Sequence, residues 1–234
     1  KYLCNLLQPH IPSDFCSTDS FSFVREIQGL PTSDKFMVSY DVESLFTNIP
    51  LKESIELAIQ YILKGNPTIK LTQNELKELF VIATSQSHFI FNDSFYDQID
   101  GVAMGSPLAP VLANLFMGHH EREWLGNYDG KILFYRRYVD DTFCLFDTEA
   151  DANSFYNFIN SQHLNISFTM EKEVDRKLAF LDVLLDNSSS SVITRVYRKK
   201  TYTGLLTNFF SFTNFSFKVG LIRTLVDRAY KINN

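Results

Sequence analysis

The sequence predicts an α+β fold of the ferredoxin-like kind, an antiparallel sheet with helices on one face. Three observations predict it. Lys35 to Tyr40 is an apolar run of strand length that ends at Asp41. Two more apolar runs, Ile132 to Val139 and Thr142 to Phe146, flank an Asp-Asp turn. The stretches between and after them repeat their apolar residues at helical spacing. From Lys35 to Met170 the order is strand, helices, strand-turn-strand, helix, strand, which is the split βαβ plan.

The elements follow in order. Tyr2 to Leu7 and Phe21 to Gln28 read as short helices among turn formers such as Pro9 and Pro12. Ser44 to Pro50 reads as a turn. Leu51, Ile55, Ala58, Ile59 and Ile62 line one helix face, and Gly65-Asn66-Pro67 stops that helix. Thr72 with Glu75 three places on is a capping box for the next helix. Phe89 to Ile99 is a hairpin turning at Asn92-Asp93. After the loop Gly101 to Pro107 comes a long helix, with Ser106 as its cap and Pro107 at its first position. Asp151 to His163 is a helix, while Ile166 to Met170, Leu178 to Leu185 and Val192 to Tyr197 are strands. Ser188 to Ser191 is a loop, and Phe217 to Tyr230 closes the chain as a helix.

The 234 residues are 45% hydrophobic and 21% charged, which favours a packed core over disorder. The 22 phenylalanines favour strands and an aromatic core. A net charge of -5 argues weakly against a nucleic-acid partner. Yet Arg195, Arg198, Lys199 and Lys200 fall within six positions. Cys4, Cys16 and Cys144 are too scattered for a zinc site or a disulfide framework, so a reducing intracellular compartment is expected. No apolar run has membrane-spanning length. The opening Lys1 and the bare ending at Asn234 are those expected of a piece of a longer protein.

Tyr138-Val139-Asp140-Asp141 carries the chemistry. Asp is common in hairpin turns, and for an arbitrary Asp-Asp pair that is the first reading. Here a third carboxylate, Asp41, also ends an apolar strand, and the plan makes that strand a neighbour of the hairpin. Carboxylates gathered at one point repel unless cations join them. Magnesium takes oxygen ligands and leaves room for phosphate and water. Two such ions suit the transfer of a nucleotidyl group.

Asp41-Val42-Glu43-Ser44-Leu45-Phe46 resembles polymerase motif A of reverse transcriptases. Gly101 to Pro110 resembles motif B, and Tyr138 to Asp141 resembles motif C. The finer wording is similar to Penelope-like retroelements, with Phe180-Leu181-Asp182 and Tyr197-Arg198-Lys199-Lys200-Thr201 matching two further segments. The similarity covers nearly the whole chain. It implies an end of fingers over 1–34, a polymerase palm over 35–186, and a connection and start of a thumb over 187–234.

The resemblance implies an RNA-directed DNA polymerase that uses two Mg2+ ions, with Mn2+ as a substitute. Its partners would be an RNA template, a DNA primer and deoxynucleoside triphosphates, with no membrane, in the nucleus. Asp41, Asp140 and Asp141 would be catalytic metal ligands, joined by the carbonyl of Val42. Phe46 is either core or the bulky residue that excludes a 2′-hydroxyl. Met104, Gly105, Ser106 and Pro107 would line the nucleotide pocket, or form an ordinary turn into a helix. Arg137, Tyr138, Leu181, Asp182, Arg198, Lys199 and Lys200 would meet the template and primer. Arg136 and Arg137 alternate, so at most one reaches a primer. His119 and His120 read as surface or second-layer residues. Where the family has a His-Pro pair, Ser211 to Lys218 reads otherwise, which touches the thumb contact. The alternatives are a nucleic-acid-binding relic and another palm-fold nucleotidyltransferase.

Overall fold

A computed structural model describes residues 1–85, 88–189 and 191–233. The helices are α1 (Tyr2–Leu7), α2 (Ser20–Gln28), α3 (Leu45–Asn48), α4 (Leu51–Gly65), α5 (Gln73–Thr84), α6 (Ala109–Asn127), α7 (Glu149–Ile159) and α8 (Phe215–Ile232). The strands are β1 (Phe36–Val42), β2 (His88–Phe91), β3 (Ser94–Asp97), β4 (Phe134–Tyr138), β5 (Asp141–Phe146), β6 (Phe168–Lys172), β7 (Lys177–Phe180), β8 (Val183–Asp186) and β9 (Ile193–Val196). They build two compact units. The first is Lys1–Cys16, Tyr40–Lys131 and Asn153–Thr169; the second is Ser17–Ser39, Ile132–Ala152 and Met170–Asn234.

In the first unit, α4 packs on α5 and α6, and its Ile55, Ala58, Ile59 and Ile62 are all buried. The predicted capping box starts α5: Thr72 Oγ1 accepts from Glu75 N–H, and Glu75 accepts from Thr72 N–H at 2.7 Å. An aromatic cluster joins Tyr40, Tyr128, Phe155 and Phe158, with Tyr128 5.0 Å from Phe155. The β2–β3 hairpin turns at Asn92 and Asp93, both in the left-handed region that a tight two-residue turn requires.

One sheet is ordered β4-β5-β1-β6, the order of the split βαβ plan. Residues 40–42 of β1 and 168–169 of β6 belong to the first unit. A second sheet, β7-β8-β9, is antiparallel throughout. Phe23 and Ile27 of α2, Phe143 of β5 and Phe180 of β7 share one core with Ile232 of α8. Phe23 lies 5.1 Å from Phe143 and 4.8 Å from Phe180. Each such ring contributes about 1.5–3 kcal/mol by leaving water.

The α+β class therefore stands, with corrections to single elements. The expected turn at Ser44 to Pro50 contains the short helix α3. The long helix begins at Ala109 with Pro110 in its first turn, two residues after the expected Pro107 start. Ser106 closes the preceding turn instead: its Oγ accepts from Leu108 N–H at 3.3 Å. The helix expected from Asp151 starts at Glu149, because Thr148 and Asp151 cap each other's backbone N–H. Leu178 to Leu185 is no single strand but the hairpin β7–β8, turning at Leu181 and Asp182. Of the expected Ser188 to Ser191 loop, Ser190 lies outside the described residues.

Candidate active site

In the first unit, alternation along β1 buries Tyr40 and Val42 and turns Asp41 out to solvent. The chain then bends at Ser44, whose φ of +49° is left-handed, and Ser44 carbonyl accepts from Thr47 Oγ1 at 2.9 Å. The next residues meet the glycine loop directly. Val102 N–H donates to Phe46 carbonyl at 2.7 Å. Gly101, with φ +76°, leaves no room for a side chain, since a Cβ there would lie 2.6 Å from Thr47 carbonyl. The structure thus brings the backbone of Phe46, a half-buried residue, against the start of the loop that carries Met104 to Pro107.

Met104 is exposed and lines an open cleft of about 710 Å³ with Thr47, Val102, Phe89 and Gln98. Gly105 has φ +93° and open space around its Cα. Pro107 carbonyl accepts from Cys4 Sγ. Asp100 was not singled out by sequence. Its Oδ1 accepts from Gly101 N–H at 2.8 Å and from Leu51 N–H at 2.9 Å, so one carboxylate sets the loop and caps α4. The spacing of 49 residues hides that partnership from any local motif.

In the second unit, the β4–β5 turn is one residue earlier than expected. Tyr138 pairs with Asp141 inside the ladder, which leaves Val139 and Asp140 as the two turn residues. Val139 has φ +58°, an uncommon conformation for a β-branched residue. Arg137 supports it: the guanidinium donates to Val139 carbonyl at 2.8 Å. Arg137 is fully buried, so its side chain offers no surface to a primer. Arg136, on the other face, pairs with Glu26 and lies 5.2 Å from the Phe134 ring centre. Tyr138 is exposed, and Asp140 and Asp141 are half-exposed.

The other segments expected at template and primer also meet. Leu181 has φ +54°, and Asp182 carbonyl accepts from Tyr197 N–H at 2.7 Å, beside Arg198. The Asp182 carboxylate is held by Arg228 of α8 at 2.8 Å. Arg198, Lys199 and Lys200 are exposed.

Glu53, His120 and His163 form a cluster whose ligand atoms lie within 4.8 Å of one another. Of the two expected places for His120, the surface or a second layer, the structure has the second: it is half-buried, with Nε2 2.9 Å from Glu53 Oε1. Burial pushes its imidazole below the ordinary value, against the pull of the Glu53 hydrogen bond. His163 Nδ1 accepts from Asn165 N–H at 3.1 Å, and its Nε2 lies 3.5 Å from Glu53. The Glu53–His120 hydrogen bond of 2.9 Å links α4 to α6, His163 approaches from the segment after α7, and the nitrogen donors of this cluster do not suit Mg2+. The carboxylate oxygens of Asp41, Asp140 and Asp141 are the donors that hard cation takes, and each is reachable from solvent.

The profile described as "Reverse transcriptase (RNA-dependent DNA polymerase)" matches residues 2–181. No curated protein matches the chain. Among solved structures, telomerase from Candida albicans in complex with a fragment of telomeric RNA aligns with TM-score 0.65 and 10% identity. That alignment covers 95% of this chain and 41% of the telomerase. Apo telomerase from Candida tropicalis, truncated from its C-terminal domain, aligns with TM-score 0.57 and 13% identity, over 82% of this chain and 43% of that one. The RNA-dependent RNA polymerase of bacteriophage phi12 aligns with TM-score 0.51 and 12% identity, over 83% and 32%. The chain spans about two fifths of the telomerase chains it resembles. At such identities the likeness establishes the fold, that of a polymerase palm. The profile covers well over half of the residues, and the chain belongs to the reverse transcriptase (RNA-dependent DNA polymerase) family.

Proposed function

We propose that the protein is an RNA-directed DNA polymerase of a Penelope-like retroelement, extending a DNA primer on an RNA template. The observation that carries this reading is the family match itself, because residues 2–181 include Asp41, Asp140 and Asp141. In this reading residues 1–34 are the end of the fingers, 35–186 the palm and 187–234 the start of the thumb. Asp41, Asp140 and Asp141, with Val42 carbonyl, hold the metal. Bound Mg2+ supplies Lewis acidity to the primer hydroxyl and the departing pyrophosphate.

The remaining roles belong to the chain. Arg137 is a positioning residue: it holds the strained Val139 turn and so aims Asp140. Gly101 and Asp100 set the loop that presents Met104, Gly105, Ser106 and Pro107 to a nucleotide. Phe46 stands beside that loop and blocks a 2′-hydroxyl. Tyr138, Leu181, Asp182, Arg198, Lys199 and Lys200 approach the template and primer.

The test is primer extension by the full-length protein, comparing RNA with DNA templates and deoxynucleotides with ribonucleotides. The expected result is extension on RNA with deoxynucleotides in Mg2+, and relaxed sugar choice in Phe46→Ala. Wild-type protein that uses ribonucleotides equally well would overturn the role of Phe46. Absence of extension on any RNA template would overturn the proposed function.

A further inference from the structure

Charge is spread very unevenly along this chain. Its net charge is -5, yet between Asn187 and Val226 no Asp or Glu occurs. The same interval holds Arg195, Arg198, Lys199, Lys200, Lys218 and Arg223. Among the described residues none of these six forms an ion pair with a carboxylate. A surface of that kind is complementary to a polyanion.

Six aromatic residues, from Tyr202 to Phe217, fall between Lys200 and Lys218, and all six are exposed. Residues 201–210 are exposed without a break. Phe210 is 91% exposed and Phe212 entirely so, while Tyr202, Phe209, Phe215 and Phe217 are also exposed. An apolar surface this continuous is uncommon on a protein without a partner for it.

The rings are also held in place. Asn208 Oδ1 accepts from Phe210 N–H at 2.8 Å, and Asn208 carbonyl accepts from Ser211 N–H and from Ser211 Oγ. Asn214 caps α8 at Ser216 N–H, which fixes Phe215 and Phe217 on the first turn. Lys218 Nζ donates to Ser211 carbonyl at 2.7 Å and lies 5.4 Å from the Phe209 ring centre. Phe209 stands edge-on to both Phe210 and Phe215. Arg198 lies 4.4 Å over the Tyr202 ring, a flat cation on a flat face.

We propose that the segment from Tyr197 to Lys218 is a stacking platform for unpaired bases of single-stranded nucleic acid. The chemistry is that of single-strand binders, in which cations follow the backbone and aromatic faces take the bases. A duplex hides its base faces and would leave Phe210 and Phe212 without partners. An acidic protein surface would satisfy the cations but not need rings with open faces. The inference shares Arg198, Lys199 and Lys200 with the proposed template and primer contact and to that extent rests on it; it adds the aromatic rings and requires neither metal nor the three carboxylates.

The test is fluorescence anisotropy of a labelled single strand of roughly 16 nucleotides, titrated with the 234-residue chain in EDTA. Binding is expected to weaken on the order of tenfold for Phe210→Ala and again for Phe212→Ala. Phe210→Leu and Phe212→Leu should weaken it nearly as much, because leucine keeps the apolar surface and loses the stacking face. Lys199→Gln should lower the salt dependence, whereas the Phe variants leave it unchanged.

Three results would overturn the proposal. One is equal affinity for an abasic strand of the same length. Another is full binding by the leucine variants. The third is self-association of the wild-type chain that Phe210→Ala abolishes, which would make the patch a contact between copies. Asp140→Ala is expected to keep this binding, so failure of the polymerase reading and failure of this one are read separately.

Discussion

Arg136 and Arg137 are adjacent in sequence and opposite in environment. Strand alternation sends them to different faces, and that much is legible from the pattern alone. Which arginine goes inside is decided by the turn beyond them. A two-residue turn forces Val139 to positive φ, and Arg137 satisfies its carbonyl from within. No local signal for that exists, since Val is not a turn former. His120 is similar: its place on a helix beside His119 leaves surface and second layer both open, and only the fold supplies Glu53 and His163. Its lowered pKa has a consequence for stability. The unfolded chain takes up the proton near the ordinary value of 6.5, and the folded chain does so only at lower pH. The contribution is therefore present above that value and lost as pH falls through the folded one. Glu53, His119 and His163 are the charged or titratable groups that face the ring. Urea midpoints measured from about pH 7.5 to 5 should fall less steeply in His120→Gln than in wild type. An identical slope would contradict the assignment.

At the scale of elements, local chemistry was readable where it was local. The capping box at Thr72 and Glu75 and the Asn92-Asp93 hairpin need only neighbours along the chain. The β7–β8 hairpin was missed because Leu181 and Asp182 carry no glycine, proline or asparagine, and because apolar residues flank them on both sides. The Asp182–Arg228 pair and the Tyr197 backbone bond fix that turn from elsewhere in the second unit. The glycine loop shows the reverse case. Gly101 was readable as part of a motif, but its reason is the Phe46–Thr47 backbone packed against it. Gly101→Ala is expected to cost about 1–3 kcal/mol, from positive φ and from the close carbonyl. Thermal unfolding measures this, and an unchanged midpoint would remove the loop's claimed contact with α3.

For the whole molecule, the succession of apolar strands and amphipathic helices makes the split βαβ plan legible and places the first strand beside the hairpin, which the order β4-β5-β1-β6 bears out. The three acids were legible as motifs, each at the end of a strand or in a turn. What the sequence left hidden is the support: Asp100 under the loop and Arg137 under the turn. In the proposed function Asp140, aimed by that turn, holds catalytic metal for polymerisation. This role is tested most directly by primer extension on an RNA template, with the full-length protein beside its Asp140→Ala variant in Mg2+. The predicted result is extension by the wild type and a loss of about a thousandfold or more in the variant. Equal rates from the two proteins would contradict it.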